Sequence, residues 1–130
     1  MDLVVDTNAL SAWLDGDPGI AQPLSLASRI GLSPVVLGEY RFGLLASRER
    51  ALYEEKLNQL EQQFQVIPVD SSTASFYAEI RRRLKSKGTP IPWHDVWVAA
   101  QAQQHQARIL SNDLHFDLID PNLRIGWPSA

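Results

Sequence analysis

The chain has 130 residues, of which 45% are hydrophobic and 21% are charged, and it contains no cysteine. This composition is typical of one globular domain, expected to span residues 1–130, and it excludes a disulfide scaffold, a thiolate metal site and a cysteine nucleophile. Twelve basic and fifteen acidic residues give a formal net charge of −3. The chain therefore lacks the overall basic character that would indicate nucleic-acid binding.

The N-terminus lacks the basic flank and long apolar run of a signal peptide, and no stretch approaches the length of a membrane span. The absence of cysteine fits a reducing compartment. We therefore expect a cytoplasmic protein.

The first predicted element lies in the segment Leu3–Leu10, whose sequence is LVVDTNAL. Its apolar run is too short for a helix and contains β-branched valines, which favours a buried strand. Asp6 follows at the carboxyl end of that strand, the end at which ligands bind in open α/β sheets. Its carboxylate is therefore expected either to cap the next helix or to hold a cation or a reacting group.

Helical and strand patterns alternate along the rest of the chain. Helices are predicted over Ala9–Asp15, residues 20–28, Leu37–Ser47, Arg48–Gln65 and Thr73–Lys87, and from Pro92 onwards. Strands are predicted over Gly31–Val36, Gln65–Val69, Arg108–Leu110 and Leu123–Trp127. Pro34 indicates that the second strand lies at a sheet edge or ends early. The alternation predicts an α/β fold with three α/β/α layers and a mainly parallel central sheet.

Four acidic residues occupy equivalent places in this pattern. Asp6 and Asp113 each end a short apolar strand, whereas Glu39 and Asp95 each lie at the start of a helix. The carboxyl ends of strands and the amino ends of the following helices share one edge of a doubly wound sheet, so the four carboxylates could meet in one cleft. Each residue also has an ordinary structural interpretation as a helix cap, a turn residue or a partner of a helix dipole. Together they match the pattern that a metal-dependent nuclease requires.

A cluster of carboxylates is unfavourable by itself, because like charges repel and raise one another's pKa. A hard divalent cation such as Mg²⁺ takes oxygen ligands and keeps waters that phosphate oxygens of a substrate can displace. The pattern therefore predicts hydrolysis of a phosphodiester. Thr7 and Asn8 have supporting roles in this hypothesis, because their side chains could bond the helix start or orient a water.

Four segments of the chain carry a resemblance to a known family. They are DTNAL at residues 6–10, LGEYRFG at 37–43, IPWHDVWVAA at 91–100 and SNDLHFD at 111–117. In this order and spacing they resemble PIN-domain ribonucleases, specifically VapC-type toxins of toxin–antitoxin modules. The resemblance implies a PIN-like fold, RNA cleavage that depends on Mg²⁺ or Mn²⁺, a small VapB-type antitoxin partner and a homodimer.

The resemblance also implies the roles of individual residues. It assigns the catalytic and metal-binding carboxylates to Asp6, Glu39, Asp95 and Asp113. It offers Asp117, which follows His115 and Phe116, as an outer candidate. The family often carries Thr or Ser three residues before the glutamate, and this chain has Val36 there, so one supporting hydroxyl is expected to be missing.

Two other functions remain open from the sequence. One is another acid-cluster phosphohydrolase, although enzymes that resemble haloacid dehalogenases need a second Asp where Asn8 stands. The other is a non-catalytic scaffold that binds RNA or protein. Intact acids argue against the second alternative.

Several further features allow two interpretations. His94, His105 and His115 lack mutual zinc-ligand spacing, although His115 could touch a substrate. The basic run from Arg81 to Lys87 is either a solvated helix end or an RNA backbone contact, and the four tryptophans fill core or interface positions unless one stacks on a base. The apolar stripe Tyr53, Leu57, Leu60 and Phe64 is core or part of a protein interface.

Overall fold

A short parallel sheet forms the centre of the molecule. The computed structural model describes residues 2–128. Its strands are β1 (Leu3–Val5), β2 (Ile30–Leu32), β3 (Gln65–Val66), β4 (Arg108–Leu110) and β5 (Arg124–Ile125). They form one five-stranded sheet in the order β3-β2-β1-β4-β5, and every neighbouring pair is parallel. Because β1 lies at the centre, the residue that follows it is flanked by the carboxyl ends of β2 and β4.

Helices flank this sheet and cover its apolar strands. They are α1 (Thr7–Leu14), α2 (Ala21–Leu26), α3 (Pro34–Leu44), α4 (Arg50–Gln63), α5 (Ser71–Lys87) and α6 (Trp93–Gln104), with short 3₁₀ segments at Pro18–Ile20 and Leu114–Leu118. Helix α6 packs on α5, α3, β1 and β4. The predicted α/β fold with a parallel sheet is therefore confirmed. Within residues 2–128, no helix combines the length and the apolar character that crossing a membrane requires.

The core is built from the strands and from one face of each long helix. All three residues of β1 are buried, as parallel strands covered on both faces require. In α4, Leu57 and Leu60 are buried, and Tyr53 and the helix C-cap Phe64 are partly buried and pack against the core. The predicted apolar stripe of this helix is therefore part of the core.

A buried glutamine ties α6 to the neighbouring elements. Gln101 is fully buried, and its Nε2 donates to the backbone oxygens of Ile67 and Pro68, at 3.0 and 3.3 Å. Its Oε1 accepts a hydrogen bond from the hydroxyl of Ser33, the N-cap of α3. The amide therefore satisfies polar groups that burial would otherwise leave without partners, and it holds α3 and α6 in one arrangement.

The strand predicted over Gly31–Val36 is wrong beyond Leu32. Ser33 caps α3 by accepting a hydrogen bond from the backbone N–H of Val35, and Pro34 is the first helical residue. A proline at that position has no intrahelical N–H to lose, so it starts the helix here. Of the two alternatives that Pro34 indicated, the structure shows the early end of β2 and not an edge position, because β2 lies between β3 and β1.

The earlier start of α3 also changes the position of one predicted acid within the helix. Because α3 begins at Pro34, Glu39 lies in the second turn of the helix and not in the first. Strands β3 and β5 are shorter than predicted, with two residues each. In β3 the chain reaches Pro68, which has no N–H to donate to a sheet.

Candidate active site

Asp6 lies at the carboxyl edge of the sheet, directly after β1, and is 4% exposed. Its carboxylate makes no capping hydrogen bond to α1. Instead Oδ2 accepts from Ser111 Oγ at 2.7 Å and from Asn8 Nδ2 at 3.3 Å. Ser111 follows β4, the strand that pairs with β1. The helix-cap alternative for Asp6 is therefore not what the structure shows, and the side chain is directed towards the segment that follows β4.

Ser111 and Asn8 shape this segment. The Ser111 hydroxyl, which is fully buried, also accepts hydrogen bonds from the backbone N–H of Asp113 at 3.0 Å and from Asn8 Nδ2 at 3.2 Å. Asn8 Oδ1 accepts from the backbone N–H of Asn112 at 3.1 Å. Asn8 therefore holds the start of α1 against the residues after β4, so its predicted support acts across two strands and not within one helix.

Glu39 reaches the same edge from the second turn of α3. Its Oε2 accepts a hydrogen bond from Thr7 Oγ1 at 3.0 Å. Val36 stands where the family often carries a Thr or Ser hydroxyl, and its apolar side chain is buried in the core. The hydroxyl that bonds Glu39 comes from Thr7.

Asp95 lies in the first turn of α6 and is 3% exposed. His94 Nε2 lies 3.3 Å from Glu39 Oε1 and 3.4 Å from Asp95 Oδ1. His115 Nδ1 lies 3.1 Å from Asp95 Oδ2 and 3.1 Å from Asp113 Oδ1. Two imidazoles therefore bridge three carboxylates that come from separate segments of the chain.

The structure brings some of the predicted site residues together and pairs one of them, Asp117, with an arginine. Ligand atoms of Asp95, Asp113 and His115 all lie within 4.8 Å of one another. Asp113 Oδ1 also caps the following 3₁₀ segment by accepting a hydrogen bond from the backbone N–H of His115 at 2.9 Å. Asp113 therefore also has the structural role of a turn residue. Asp117 is held by Arg124, whose Nε and Nη2 donate to its two oxygens at 3.0 and 3.1 Å.

The sequence interpretation placed none of three residues at the carboxylates, although it offered His115 as a substrate contact. Ser111, His94 and His115 all contact predicted carboxylates. The available signals were local: His94 precedes Asp95, and both Ser111 and His115 lie two positions from Asp113.

The electrostatics of the site oppose ionisation of its buried acids. Burial raises the pKa of Asp6 above 3.8, against the hydrogen bond from Ser111, and the charges of Asp95 and Asp113 raise it further. Burial likewise raises the pKa of Asp95, while the contacts with His115 and His94 lower it. Ionisation of either carboxylate in the folded protein therefore costs free energy when no cation is bound.

Basic side chains do not relieve this cost. In the part of the chain that the structure describes, no lysine or arginine lies within 4.0 Å of the carboxylates of Asp6, Glu39, Asp95 or Asp113. Buried or crowded carboxylates usually have a partner of opposite charge. The carboxylate oxygens, together with the His115 imidazole that lies among them, are a donor set that fits a divalent cation.

The comparison with known proteins agrees with this geometry. The sequence profile of the PIN domain matches residues 3–121. The toxin FitB of Neisseria gonorrhoeae is 30% identical over 121 residues, which cover 85% of this chain and 87% of FitB. Ribonuclease VapC5 of Mycobacterium tuberculosis is 28% identical over 97 residues, which cover 73% of this chain and 72% of VapC5.

Solved structures show the same fold. VapBC2 from Rickettsia felis, crystallised with a DNA fragment from its promoter, superposes with a TM-score of 0.86 at 24% identity over 98% of this chain and 99% of that one. FitAcB from Neisseria gonorrhoeae superposes with a TM-score of 0.78 at 27% identity over 91% and 93% of the two chains. With a profile match that spans nearly the whole described chain, this protein belongs to the PIN domain family.

Proposed function

We propose that the protein is an endoribonuclease dependent on a divalent cation, Mg²⁺ or Mn²⁺, and the toxin of a VapBC-type toxin–antitoxin module. The observation that carries the proposal is the group of four carboxylates at one edge of the sheet, which have no lysine or arginine partner among the described residues. Relatives named as VapC ribonucleases supply the substrate class. Because the cell's RNA is translated and processed in the cytoplasm, the proposal places the protein there.

Asp6, Glu39, Asp95 and Asp113 are the residues that would hold the cation, and His115 is close enough to two of them to take part. When bound, the cation neutralises the carboxylates, polarises a water and offsets the negative charge that develops on the phosphodiester during hydrolysis. The carboxylates also repel an RNA phosphate placed directly beside them while no cation is bound, so the contact of the scissile phosphate with the carboxylates depends on the ion.

The surrounding side chains orient the carboxylates. Glu39 is held from both sides, with Thr7 Oγ1 on Oε2 and His94 Nε2 beside Oε1. Ser111 and Asn8 hold Oδ2 of Asp6. Carboxylates whose orientation is set before a cation arrives lose little conformational entropy when they bind it.

A cleft of about 400 Å³ opens beside Thr7 and Glu39, the one of the four proposed carboxylates that lines it. Gly43 lies on its wall, and a Cβ at that position would meet no atom within 4 Å. The cleft therefore has open space next to Glu39, through which a substrate strand would approach this carboxylate.

The proposed partners are RNA, a VapB-type antitoxin and a second copy of the chain. VapBC-5 of Mycobacterium tuberculosis, at 25% identity, is a structural neighbour whose name describes it as a member of a family of toxin–antitoxin systems. Large apolar side chains on α3 and α4 are exposed, among them Phe42 and Leu52. Exposed apolar surface of this kind is typical of a protein interface. Sedimentation of the chain alone tests the homodimer.

The decisive experiment measures RNA cleavage by the purified protein. Total RNA is incubated with Mg²⁺ or Mn²⁺, with EDTA as one control. Asp95→Asn is expected to reduce the rate at least about a hundredfold, because it removes a buried carboxylate from the cluster. Glu55→Gln, which removes an exposed carboxylate of α4, is expected to cleave like the wild-type protein.

The other outcomes separate the alternatives. Mg²⁺ is expected to raise the melting temperature of the wild-type protein more than that of Asp95→Asn, as ligand linkage requires. Mg²⁺ binding with RNA binding but no cleavage would identify a scaffold that does not catalyse. Hydrolysis of p-nitrophenyl phosphate without RNA cleavage would identify another phosphohydrolase.

A further inference from the structure

A second surface pocket lies beside the start of α6, apart from the cleft at Glu39. It has a volume of about 540 Å³ and is formed by α5, the segment that follows it and the first turn of α6. Its lining combines the basic residues Arg81, Arg82 and Lys85 with the apolar residues Ile91, Trp93 and Val96. None of the residues that line it is acidic. We call it the basic pocket.

Trp93 gives the basic pocket an exposed aromatic face. It is the first residue of α6 and is 67% exposed. The Arg81 guanidinium lies 5.2 Å from the centre of its ring, and Arg81 Nη1 donates to the Tyr77 hydroxyl at 3.2 Å. The Tyr77 ring in turn stacks on Trp97, with 4.0 Å between ring centres. Arg81 is therefore held beside the indole by side chains that are themselves packed.

The basic residues of the pocket lie close together in the chain, and two of them form no ion pair among the described residues. The run from Arg81 to Lys87 contains five of the chain's twelve basic residues, although the net charge of the chain is −3. Arg82 pairs with Glu79, whereas Arg81 and Lys85 form no ion pair within residues 2–128. Unpaired cations next to an exposed indole are the combination by which proteins bind single-stranded nucleic acid without sequence readout.

The pocket adjoins the candidate active site through one helical turn. Trp93 and Val96 line the basic pocket, and Asp95 lies between them in the chain with its carboxylate at the acidic cluster. Because Asp95 and Trp93 lie on different sides of the first turn of α6, a strand of RNA with a phosphodiester at Asp95 would have to pass around that turn, about 10–12 Å across with its side chains, for its neighbouring nucleotides to meet the basic pocket.

We infer that the basic pocket binds single-stranded RNA next to the scissile bond, with one base stacked on Trp93 and the backbone phosphates at Arg81 and Lys85. This inference rests on the proposed ribonuclease function, and it adds a substrate-binding surface that lies outside the acidic cluster. It predicts that the pocket contributes to RNA affinity in the absence of any cation, when cleavage does not occur.

Binding is measured in EDTA with a fluorescein-labelled, mixed-sequence single-stranded RNA of about 12 nucleotides, within the site sizes known for such surfaces. Trp93→Ala is expected to weaken binding on the order of tenfold, whereas Trp93→Phe, which keeps an aromatic face, is expected to lose much less. Arg81→Gln is expected to reduce the slope of log affinity against log salt by about 0.7, the value for one phosphate contact on a single strand. Arg50→Gln, on exposed α4 surface, is the charge-matched control.

Each result supports the inference or overturns it. Equal affinity of wild-type protein, Trp93→Ala and Arg81→Gln overturns it, and so does a wild-type protein that binds no RNA in EDTA. A change of oligomeric state in Trp93→Ala with unaltered RNA affinity assigns the surface to a protein contact instead. If Trp93→Ala does not fold by circular dichroism, Trp93→Phe and Arg81→Gln decide. Cleavage with Mg²⁺ is scored separately, so a failure of the ribonuclease proposal is recognised by itself.

Discussion

Thr7 Oγ1 donates a 3.0 Å hydrogen bond to Glu39 Oε2, although 32 positions separate the two residues in the chain. His94 Nε2 lies 3.3 Å from the other oxygen of the same carboxylate. The orientation of Glu39 is therefore set by α1 and α6 as well as by its own helix. A disturbance of any of these helices should reach the acidic cluster through this side chain.

Replacement of Thr7 by valine should slow RNA cleavage about tenfold without a comparable loss of stability. Valine has nearly the same shape as threonine but no hydroxyl, so Glu39 loses a partner that orients it. Cleavage rates at saturating Mg²⁺ and thermal melting measure the two effects. Thr7→Ser, which keeps the hydroxyl, should retain most of the activity. A wild-type rate for Thr7→Val would show that the hydrogen bond does not matter for catalysis.

Zn²⁺ should inhibit cleavage in the presence of Mg²⁺, and the His115→Ala variant should need about tenfold more Zn²⁺ for the same inhibition. The physical reason is that His115 Nδ1 lies 3.1 Å from oxygens of both Asp95 and Asp113. An imidazole suits Zn²⁺ much better than Mg²⁺.

Inhibition curves at fixed Mg²⁺ measure this difference. His105→Ala, at the far end of α6, is the matched histidine control. If His115→Ala and the wild-type protein respond identically to Zn²⁺, His115 is not part of the cation site.

The Asp6→Asn variant should be more stable than the wild-type protein at neutral pH when no cation is present. Burial raises the pKa of Asp6 above 3.8, so the folded state binds this proton more tightly than the unfolded state does. At neutral pH the carboxylate is ionised and opposes folding, and asparagine removes that opposition while keeping an acceptor for Ser111. A gain of about 1 kcal/mol would raise the melting temperature by roughly 3 °C.

This stability difference has a defined pH dependence. As the pH falls through the raised pKa towards 3.8, the wild-type carboxyl takes up its proton and the advantage of Asp6→Asn should disappear. Saturating Mg²⁺ should also remove the advantage, because the cation stabilises the wild-type protein more. Glu55→Gln controls for the change in net charge. The explanation is wrong if Asp6→Asn melts below the wild-type protein at neutral pH in EDTA.

Replacement of Gln101 by leucine should destabilise the fold by about 3 kcal/mol. The amide serves two backbone oxygens and the Ser33 hydroxyl, and leucine would leave these buried groups without partners. Denaturant unfolding measures the loss. Gln103→Leu, at a partly exposed position of the same helix, should stay within about 0.5 kcal/mol of the wild-type protein. Similar stability of the two variants would argue against a bracing role for Gln101.

The parts of this molecule that follow from local patterns were predictable. A short apolar run followed by an acid predicts both β1 and the position of Asp6, because strand ends and helix starts carry their own residue preferences. The start of α3 was also encoded locally, by the serine and proline at positions 33 and 34. Apolar residues on both sides of Pro34 favour a strand, and that preference is outweighed once Ser33 can cap a helix.

The contacts between distant segments were not predictable in the same way. Ser111 reaches Asp6 across 105 positions, and it does so only because β4 pairs with β1 and not with β5 alone. His115 reaches Asp95 across 20 positions, and His94, the chain neighbour of Asp95, also contacts Glu39, which lies in a different helix. Gln101 lies on an apolar face of α6. The partners of its amide are Ser33, at the start of α3, and Ile67, directly after β3, so they are close only once these elements have packed.

The order of the strands has a consequence for synthesis on the ribosome. The strand made first, β1, lies between β2 and β4, and the last of the four proposed carboxylates comes after β4. A nascent chain that stops anywhere before residue 113 lacks Asp113, and one that stops before β4 also leaves β1 with an open edge. If the proposed activity is correct, translation that is interrupted before residue 113 releases no fragment with all four carboxylates of the active site.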